Sequence, residues 1–291
     1  MLKATRELGN IHQIHDWLNL CAQSNHHTDG ERLPVDLSRL SYVSPLGCTA
    51  LLSSLRFLDK YFYLDTKVPY VPRIEDTNVV SYMERMNFFK YCPDDVRSTF
   101  ENEMDMEFLY GRTRRNKEDS LNEITMCSSD TDVEKFDSSL KRILKTKGLA
   151  PNQVSNISRI VTELGLNSVE HGKHDEEVSC YYCVQSYRNG KMEIAICDSG
   201  IGIVESLEPH IYSYDDDDVV RKAIFTTASS HSHQNRGKGL PDVKNVALML
   251  NNTEFYLRTH KKAYQVYSDR VESIQSGNYF NGTYYYIVVN T

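Results

Sequence analysis

The segment between residues 152 and 170 combines an apolar stripe with polar side chains that could do chemistry. Glu163 and Asn167 stand four residues apart. Glu170 or His171 follows three or four residues later, a spacing that keeps side chains on one face of a helix. A carboxylate that accepts a proton and an amide oxygen that ligates a cation could therefore address one ligand. A solvent-exposed polar face is the alternative explanation. The stripe predicted to bury this helix comprises Ile157, Val161 and Leu164.

An acidic residue stands directly after a predicted strand. The run from Met192 to Cys197 leads into Asp198, and Gly200 and Gly202 follow it. Glycines allow the backbone to pass close to a planar ligand, while a carboxylate accepts hydrogen bonds from that ligand. The segment is therefore a candidate site for a flat group that carries hydrogen-bond donors. An ordinary tight turn is the alternative.

A glycine-flanked lysine precedes a further predicted helix. Gly237, Lys238, Gly239 and Leu240 occupy this junction. Because the free N–H groups and the dipole at a helix N-terminus favour phosphate, we expect phosphate contacts here. A plain loop-to-helix junction is the alternative. The chain has no glycine-rich P-loop consensus ending in lysine and serine or threonine, which disfavours that class of nucleotide site.

Taken in order, these three segments and Gly282-Thr283 before the last strand resemble the four sequence boxes of the GHKL ATPase superfamily, which has the Bergerat fold. The match covers residues 119–291. It implies an α/β sandwich, a mixed sheet backed by helices, that binds ATP and Mg²⁺. The polar loop at residues 226–234 falls where the family has its ATP lid. The resemblance also implies roles at the metal and the base: Asn167 as Mg²⁺ ligand, Asp198 as acceptor for the adenine amino group, Gly200 and Gly202 along the base, and Thr283 near adenine. It implies that Gly237, Lys238 and Gly239 contact the phosphates. Leu240 is expected in the same site.

Glu163 distinguishes among subtypes of this superfamily. Histidine kinases usually have Asn at this position and need a phosphoacceptor His in a dimerising helix, which this sequence does not show. A Glu four residues before Asn167 resembles gyrase B and MutL, in which the carboxylate deprotonates the attacking water. It also resembles the anti-sigma-factor serine kinases, in which it would activate a serine hydroxyl. Glu163 is therefore the predicted catalytic residue, and the phosphoryl acceptor stays open.

The segment from Val35 to Leu52 resembles the central strand, loop and helix of STAS domains, known from anti-sigma-factor antagonists. In those antagonists a serine just before the helix accepts phosphate from a GHKL kinase, but Pro45 stands at the aligned position here. Ser44 and Thr49 are neighbouring hydroxyls that could substitute, although Ser44 is equally suited to cap the helix. The resemblance implies a protein-binding module, and a purely structural domain is the alternative.

Helix and strand signals alternate along the chain, which predicts an α/β fold. We expect a STAS-like domain at 1–93, an interdomain passage at 94–118 and a GHKL domain at 119–291. The acids from Asp215 to Asp218 are expected to cap a helix rather than to bind Mg²⁺. The predicted helices are 10–21, 46–58, 77–88, 133–146, 152–170, 219–225 and 240–250, and the predicted strands are 33–37, 178–187, 191–197 and three terminal strands.

The composition is that of an ordinary globular protein. The chain has 291 residues, 40% of them hydrophobic, and a formal net charge of -7, so it has no global basic field for nucleic acid. The sequence shows no export signal or long apolar segment, and its seven cysteines lack a disulfide framework. We therefore expect a cytoplasmic protein without nucleic-acid or membrane partners, and homodimerisation is left open.

Three hypotheses about function follow from these features. The first is a regulatory protein that binds and slowly hydrolyses Mg-ATP and couples nucleotide state to a protein partner through the STAS-like domain. The second is a serine/threonine protein kinase of the anti-sigma type. The third is a noncatalytic module in which bound nucleotide gates an interaction with an effector. The sequence does not identify the partner.

Overall fold

The computed structural model describes all residues of the chain except 27, 29, 114–119, 172, 175–176, 179, 187–189, 208–210, 212, 214, 227–238, 251–252 and 291. These described residues form an α/β fold, which confirms the predicted fold class. None of the described helices is long and apolar enough to cross a membrane.

The N-terminal unit, residues 1–113, is built around strand β3 (Arg32–Asp36). Strands β1 (Leu2–Lys3) and β5 (Tyr63–Lys67) lie parallel on either side of β3. A separate parallel pair is formed by β2 (Glu7–Leu8) and β4 (Tyr42–Val43). The helices of this unit are α1 (Ile11–Ala22), α2 (Pro45–Asp59), α3 (Val79–Arg85), α4 (Phe88–Tyr91), α5 (Asp94–Glu103) and α6 (Met106–Tyr110), with a short 3-10 turn at Gln23–His26.

Two segments of the N-terminal unit differ from their predictions. The helix predicted at 77–88 is interrupted, because Asn87 adopts a left-handed φ of 63° between α3 and α4. Asparagine tolerates this conformation better than most residues. The charged segment 94–118 begins with α5 and α6, since Val96 and Phe100 bury an apolar face there. The domain boundaries themselves stay a prediction.

The C-terminal unit, residues 120–290, contains a large antiparallel sheet. Its strands, in the order β13-β12-β11-β14-β10-β9-β6, are β6 (Leu121–Met126), β9 (Cys180–Ser186), β10 (Lys191–Asp198), β11 (Thr253–Thr259), β12 (Lys262–Val266), β13 (Val271–Ser276) and β14 (Thr283–Asn290). Between them in the chain, β7 (Lys173–His174) and β8 (Glu177–Val178) form a separate pair.

The prediction of a mixed sheet is wrong for the seven described strands of this C-terminal sheet, all of which pair antiparallel. Short connections join β9 to β10 and make β11, β12 and β13 successive neighbours, and such connections give antiparallel pairs. Strand β14 then inserts between β10 and β11 in the antiparallel sense to both. The region after residue 250 also contains four strands rather than the predicted three.

One face of this sheet is covered by helices. They are α7 (Asp130–Thr146), α8 (Pro151–His171), α9 (Gly202–Leu207), α10 (Asp216–Phe225) and α11 (Gly239–Met249). The predicted apolar stripe of α8 is confirmed, since Ile157, Val161 and Leu164 are fully buried. The predicted cap of α10 is also confirmed, because the Asp215 carboxylate accepts a hydrogen bond from the Asp217 amide.

The opposite face of the sheet packs against the N-terminal unit. Along β14, Tyr285 and Ile287 belong to the core beneath the helices. Tyr284 and Tyr286 belong to the core shared with the N-terminal unit. Because successive side chains of a strand point to opposite faces, the central strands are buried on both sides. Groups at the ends of these strands therefore lie between the helical layer and the N-terminal unit.

Candidate functional site

The candidate site is centred on Asp198, the last residue of β10. The side chain is 3% exposed. Its Oδ1 accepts hydrogen bonds from the backbone amides of Gly200 at 3.1 Å and Thr283 at 3.0 Å. Its Oδ2 accepts one from the Ser168 hydroxyl at 3.0 Å. A carboxylate offers about four acceptor positions, so Oδ2 can accept a further donor.

Burial sets the protonation behaviour of this carboxyl group. Loss of solvent raises the pKa of Asp198 to about 6, although the hydrogen bonds from Gly200, Thr283 and Ser168 lower it. Donors stabilise the ionised form, while desolvation destabilises it. Above this pKa the group is an acceptor only, as recognition of an amino group requires.

Two glycines allow neighbouring backbone segments to pack closely beside the carboxylate. Gly202 has a φ of +83°, and a Cβ there would lie 2.8 Å from Thr259 Oγ1. Gly282 has a φ of +96°, and a Cβ there would overlap the Asp198 carbonyl oxygen. Its amide donates to the Gly200 carbonyl at 2.7 Å. These positions require glycine because of both conformation and space, so two backbone segments lie closely together at this end of the sheet.

Thr283 and Thr259 extend this arrangement across the sheet. They are paired in register at the start of β14 and the end of β11. Thr283 is 3% exposed and contacts Asp198 through its amide. The Thr259 hydroxyl accepts a hydrogen bond from the Ile203 amide at 3.0 Å, which fixes the start of α9. The structure therefore brings the sequence-predicted Asp198, Gly200, Gly202 and Thr283 together.

Helix α8 carries the polar residues predicted for the site and contacts Asp198 through Ser168. Glu163 and Asn167 are both half-buried, four residues apart on one face. The side-chain amide of Asn167 makes no hydrogen bond within the part of the chain that the structure describes. Ser168 was not predicted as a site residue, although it lies four residues after Leu164 on the buried stripe. A hydroxyl at such a position needs a polar partner, and that partner is Asp198.

Glu163 lies in an environment that favours its protonated form. Burial raises the pKa of this carboxyl, the negative charge of Asp242 raises it further, and Arg159 lowers it. Arg159 and Asp242 form an ion pair that links α8 to the first turn of α11. A half-buried carboxyl with a raised pKa can accept a proton in a reaction.

The predicted phosphate segment is described only at its end. Gly239 and Leu240 begin α11, and Leu240 is half-buried and packs at the margin of the helix-side core. Helix α11 packs directly on α8. Gly237 and Lys238 lie outside the described residues, as does the predicted lid after residue 226. Phosphate contacts at this junction therefore stay a prediction.

The hydroxyls considered as phosphoacceptors are buried. Ser44 is 1% exposed and caps α2, since its Oγ accepts a hydrogen bond from the Gly47 amide at 3.1 Å. Thr49 is fully buried, and its hydroxyl donates to the Pro45 carbonyl at 2.7 Å. A kinase needs an accessible hydroxyl, so neither residue can be phosphorylated in this conformation. The capping interpretation of Ser44 is confirmed.

Comparisons with known proteins add solved structures of low similarity. Neither a scan against protein-family models nor a search of curated proteins gave a match. The SiaB-SiaC complex of Pseudomonas aeruginosa aligns at 11% identity and a TM-score of 0.34, over 59% of this chain and 91% of the matched chain. The mycobacterial sensor histidine kinase MprB aligns at 17% identity and 0.31, over 57% and 95%. A histidine kinase domain from Erythrobacter litoralis aligns at 13% identity and 0.30, over 72% and 78%. These scores are too low to establish a common fold.

Proposed function

We propose that this chain is a regulatory protein of the GHKL superfamily that binds Mg-ATP. The buried Asp198 carboxylate carries the proposal. It is held by two backbone amides and one hydroxyl, and Oδ2 retains capacity for a further donor. The adenine amino group is such a donor. Gly202 and Gly282 let the surrounding backbone segments pack closely, which holds the amides of Gly200 and Thr283 in place against this carboxylate.

The polar face of α8 supports binding of the phosphates and the metal ion. Asn167 would ligate Mg²⁺ through its amide oxygen, the kind of ligand that this ion accepts. Bound Mg²⁺ neutralises phosphate charge. The N-terminus of α11, with Gly239 and Leu240, would contribute to the phosphate end of the site. Gly237 and Lys238, which precede it in the chain, would complete that end.

Glu163 is the proposed proton acceptor. In the hydrolytic reaction it would accept a proton from the water that attacks the γ-phosphate, which leaves ADP and phosphate as products. A serine hydroxyl of a partner protein is the alternative acceptor, and the chain would then be a protein kinase. The hydroxyls of Ser44 and Thr49 in the chain's own STAS-like segment are buried, so a kinase reaction would need an exposed hydroxyl of another protein.

The N-terminal unit would connect nucleotide state to a partner protein. Its central strand β3 lies between β1 and β5 and is followed through β4 by α2, which is consistent with the resemblance of this segment to STAS domains. The unit packs against the sheet that carries Asp198. A change at the nucleotide site could therefore reach a surface that binds another protein.

Nucleotide binding by wild type and Asp198→Asn tests the proposal. The variant retains an oxygen for Gly200 and Thr283, but an NH₂ group replaces the second acceptor and opposes the adenine amino group. We expect ADP affinity to fall about 10- to 100-fold and the preference to shift towards GDP, whose base has a carbonyl oxygen there. Asp137→Asn is the control, since Asp137 of α7 is a buried aspartate that accepts a hydrogen bond from Ser158 of α8. Wild type that binds no ADP at millimolar concentration would overturn the proposal.

The fate of the γ-phosphate separates the three functional hypotheses. Label from γ-labelled ATP that appears as free phosphate supports hydrolysis. Label that appears on a protein supports kinase activity. Tight binding with neither product supports a noncatalytic module whose bound nucleotide controls an effector. Each result leaves the proposed binding of adenine at Asp198 intact.

A further inference from the structure

Arg258 in β11 is a fully buried cation on the face of the sheet that meets the N-terminal unit. Its cross-strand partners are Tyr284 and Ala263, and both belong to the core shared with that unit. The structure shows no carboxylate paired with Arg258 in the part of the chain that it describes. Burial lowers the pKa of Arg258 to about 10, so the guanidinium is still charged at neutral pH.

The guanidinium instead binds the loop that connects β13 to β14. It donates from Nη1 to the Phe280 carbonyl at 2.6 Å and from Nη2 to the Asn278 carbonyl at 3.0 Å. We call residues 277–282 the connecting loop. A buried charge is costly unless it is well hydrogen-bonded. An apolar residue could fill the same space, so the specific consequence of Arg258 is the fixed position of this loop.

One end of the connecting loop enters the candidate nucleotide site. The Gly282 amide donates to the Gly200 carbonyl at 2.7 Å, and the next amide, of Thr283, donates to Asp198 Oδ1 at 3.0 Å. The Phe280 amide donates to the His260 carbonyl at 3.2 Å. A displacement of this loop would therefore move a donor to Asp198 and the backbone beside the base.

The other end of the connecting loop contacts the N-terminal unit. The Asn278 amide donates to Asn19 Oδ1 of α1 at 2.8 Å, and a Cβ at Gly277 would overlap the same Asn19 side chain. The Phe280 ring packs edge-on against Phe57 of α2, with centroids 5.2 Å apart. The loop thus contacts α1, α2 and the candidate site at once.

Helix α1, which the connecting loop contacts through Asn19, also contains a buried tryptophan whose ring is hydrogen-bonded to α2. Ser54 Oγ accepts a hydrogen bond from Trp17 Nε1 at 2.8 Å. Trp17 is the only tryptophan of the chain and is 2% exposed. Its fluorescence therefore reports on α1 without an added label.

We propose that Arg258 is a positioning residue for the nucleotide site and that the connecting loop transmits nucleotide occupancy to α1 of the N-terminal unit. The inference rests on the proposed function for the identity of the ligand. Bound nucleotide restrains Asp198 and Thr283, and the connecting loop passes that restraint to Asn19. Coupling of this kind requires that both sites bias one element, and the connecting loop is that element.

The experiment measures ADP affinity by calorimetry and Trp17 emission with and without Mg-ADP, in the full chain. Arg258→Met should weaken ADP binding about tenfold, because two charge-assisted hydrogen bonds to the loop are lost. Arg258→Lys should recover part of the affinity, since an ammonium can still donate to one carbonyl. Arg270→Met is the matched control. Arg270 is exposed on the β12–β13 turn and pairs with Asp269 and Glu272, so its loss should leave both signals unchanged.

Asn19→Ala tests the coupling separately from binding. It should keep ADP affinity within about threefold and abolish most of the Trp17 emission change that ADP produces in wild type. A full emission change in Asn19→Ala overturns the coupling, even if Arg258→Met does not fold. Unchanged ADP affinity in folded Arg258→Met overturns the positioning role. Wild type that binds no ADP overturns the proposed function together with this inference, whereas wild type that binds ADP without an emission change overturns the coupling alone.

Discussion

The Ser168 hydroxyl donates a hydrogen bond to Asp198 Oδ2 at 3.0 Å and so joins α8 to the end of β10. Both side chains are buried from solvent, at 2% and 3% exposure. Asn167, the proposed Mg²⁺ ligand, directly precedes Ser168. One turn of α8 therefore contacts the proposed adenine acceptor and also carries the proposed metal ligand. The relative positions of the adenine site and the metal site thus depend on how this helix packs against the sheet.

Replacement of Ser168 by alanine should change the pH dependence of nucleotide binding. The hydroxyl lowers the pKa of Asp198, so its loss should raise that pKa above its value of about 6. Only ionised Asp198 accepts without donating, and the pH of half-maximal ADP affinity should therefore move upwards. At neutral pH we expect affinity to fall about three- to tenfold. Calorimetric titrations with ADP between pH 5 and 8, roughly the range around that pKa, would measure both effects.

Ser158→Ala is the matched control for this experiment. Ser158 lies on the same helix and donates to the buried Asp137 at 2.5 Å, away from the candidate site. Its loss should lower stability without moving the pH profile of ADP binding. If Ser168→Ala and Ser158→Ala gave the same profile, Ser168 would have no specific role in holding the proposed adenine acceptor.

Asp198→Asn should make the protein more stable at neutral pH while it weakens ADP binding. Burial raises the pKa of Asp198 to about 6, above the value of roughly 3.9 in unstructured peptides. The folded state thus holds this proton more tightly than the unfolded chain. The corresponding stabilisation, about 3 kcal/mol, is complete below pH of about 4 and is lost as the pH rises through about 6.

Asparagine does not titrate, so the stability of Asp198→Asn relative to wild type should increase with pH. Urea unfolding near pH 4 and near pH 8, roughly the limits of this transition, would give the two differences in the free energy of unfolding. The difference in the free energy of unfolding near pH 8 should favour the variant by up to about 3 kcal/mol more than the difference near pH 4 does. A difference that does not vary with pH would show that Asp198 is not destabilised by its charge. Stability gained where function is lost is common at binding sites.

Glu163→Gln should abolish turnover but preserve nucleotide binding. The amide cannot accept the proton of the attacking water, so the rate of ATP hydrolysis should fall about 10²- to 10⁴-fold. In wild type, burial and the charge of Asp242 raise the pKa of Glu163. The rate should therefore increase with pH as this group ionises, over a range above the ordinary pKa of a glutamate.

Steady-state phosphate release and ADP calorimetry would measure the two properties of Glu163→Gln separately. Glu134→Gln, an exposed substitution on α7, is the control and should leave both unchanged. Equal residual rates in wild type and Glu163→Gln would contradict a catalytic role for Glu163, even if ADP still bound tightly.

The parts of the site that depend on local sequence were predictable. The buried stripe of α8 follows from apolar spacing, and the cap at Asp215 follows from acids before an apolar run. Asp198 at the end of β10, beside two glycines, is likewise a local signal. Each of these features is decided within a few residues, so the pattern contains the information.

Long-range pairing was not predictable in the same way. The insertion of β14 between β10 and β11 depends on contacts between segments far apart in the chain, and spacing within a strand does not specify its neighbours. Arg258 shows the same limit, because arginine is rarely fully buried and its partners lie about 20 residues away in the connecting loop. Ser168 is intermediate, since its position on the stripe signals a buried hydroxyl but not the identity of its acceptor.

Gly282→Ala should damage both the fold and the nucleotide site. At a φ of +96° an alanine is strained, and its Cβ would overlap the Asp198 carbonyl oxygen. The connecting loop must then move away from β10. This movement breaks the hydrogen bond from the Gly282 amide to the Gly200 carbonyl and displaces the Thr283 amide from Asp198. We expect the free energy of unfolding to fall by about 3 kcal/mol or more and ADP affinity to fall with it.

Gly148→Ala is the control that separates the backbone strain of placing alanine at a positive φ from the steric overlap of its Cβ. Gly148 also has a positive φ, +75°, but no atom lies within 4 Å of the position that its Cβ would occupy. Alanine at position 148 should lower the free energy of unfolding by only about 1 kcal/mol and leave ADP binding unchanged. Urea unfolding and ADP calorimetry on both variants would show whether the excess loss occurs at Gly282. Equal losses would mean that the close approach of the connecting loop to Asp198 contributes nothing beyond backbone strain, and that the adenine site tolerates a displaced Thr283.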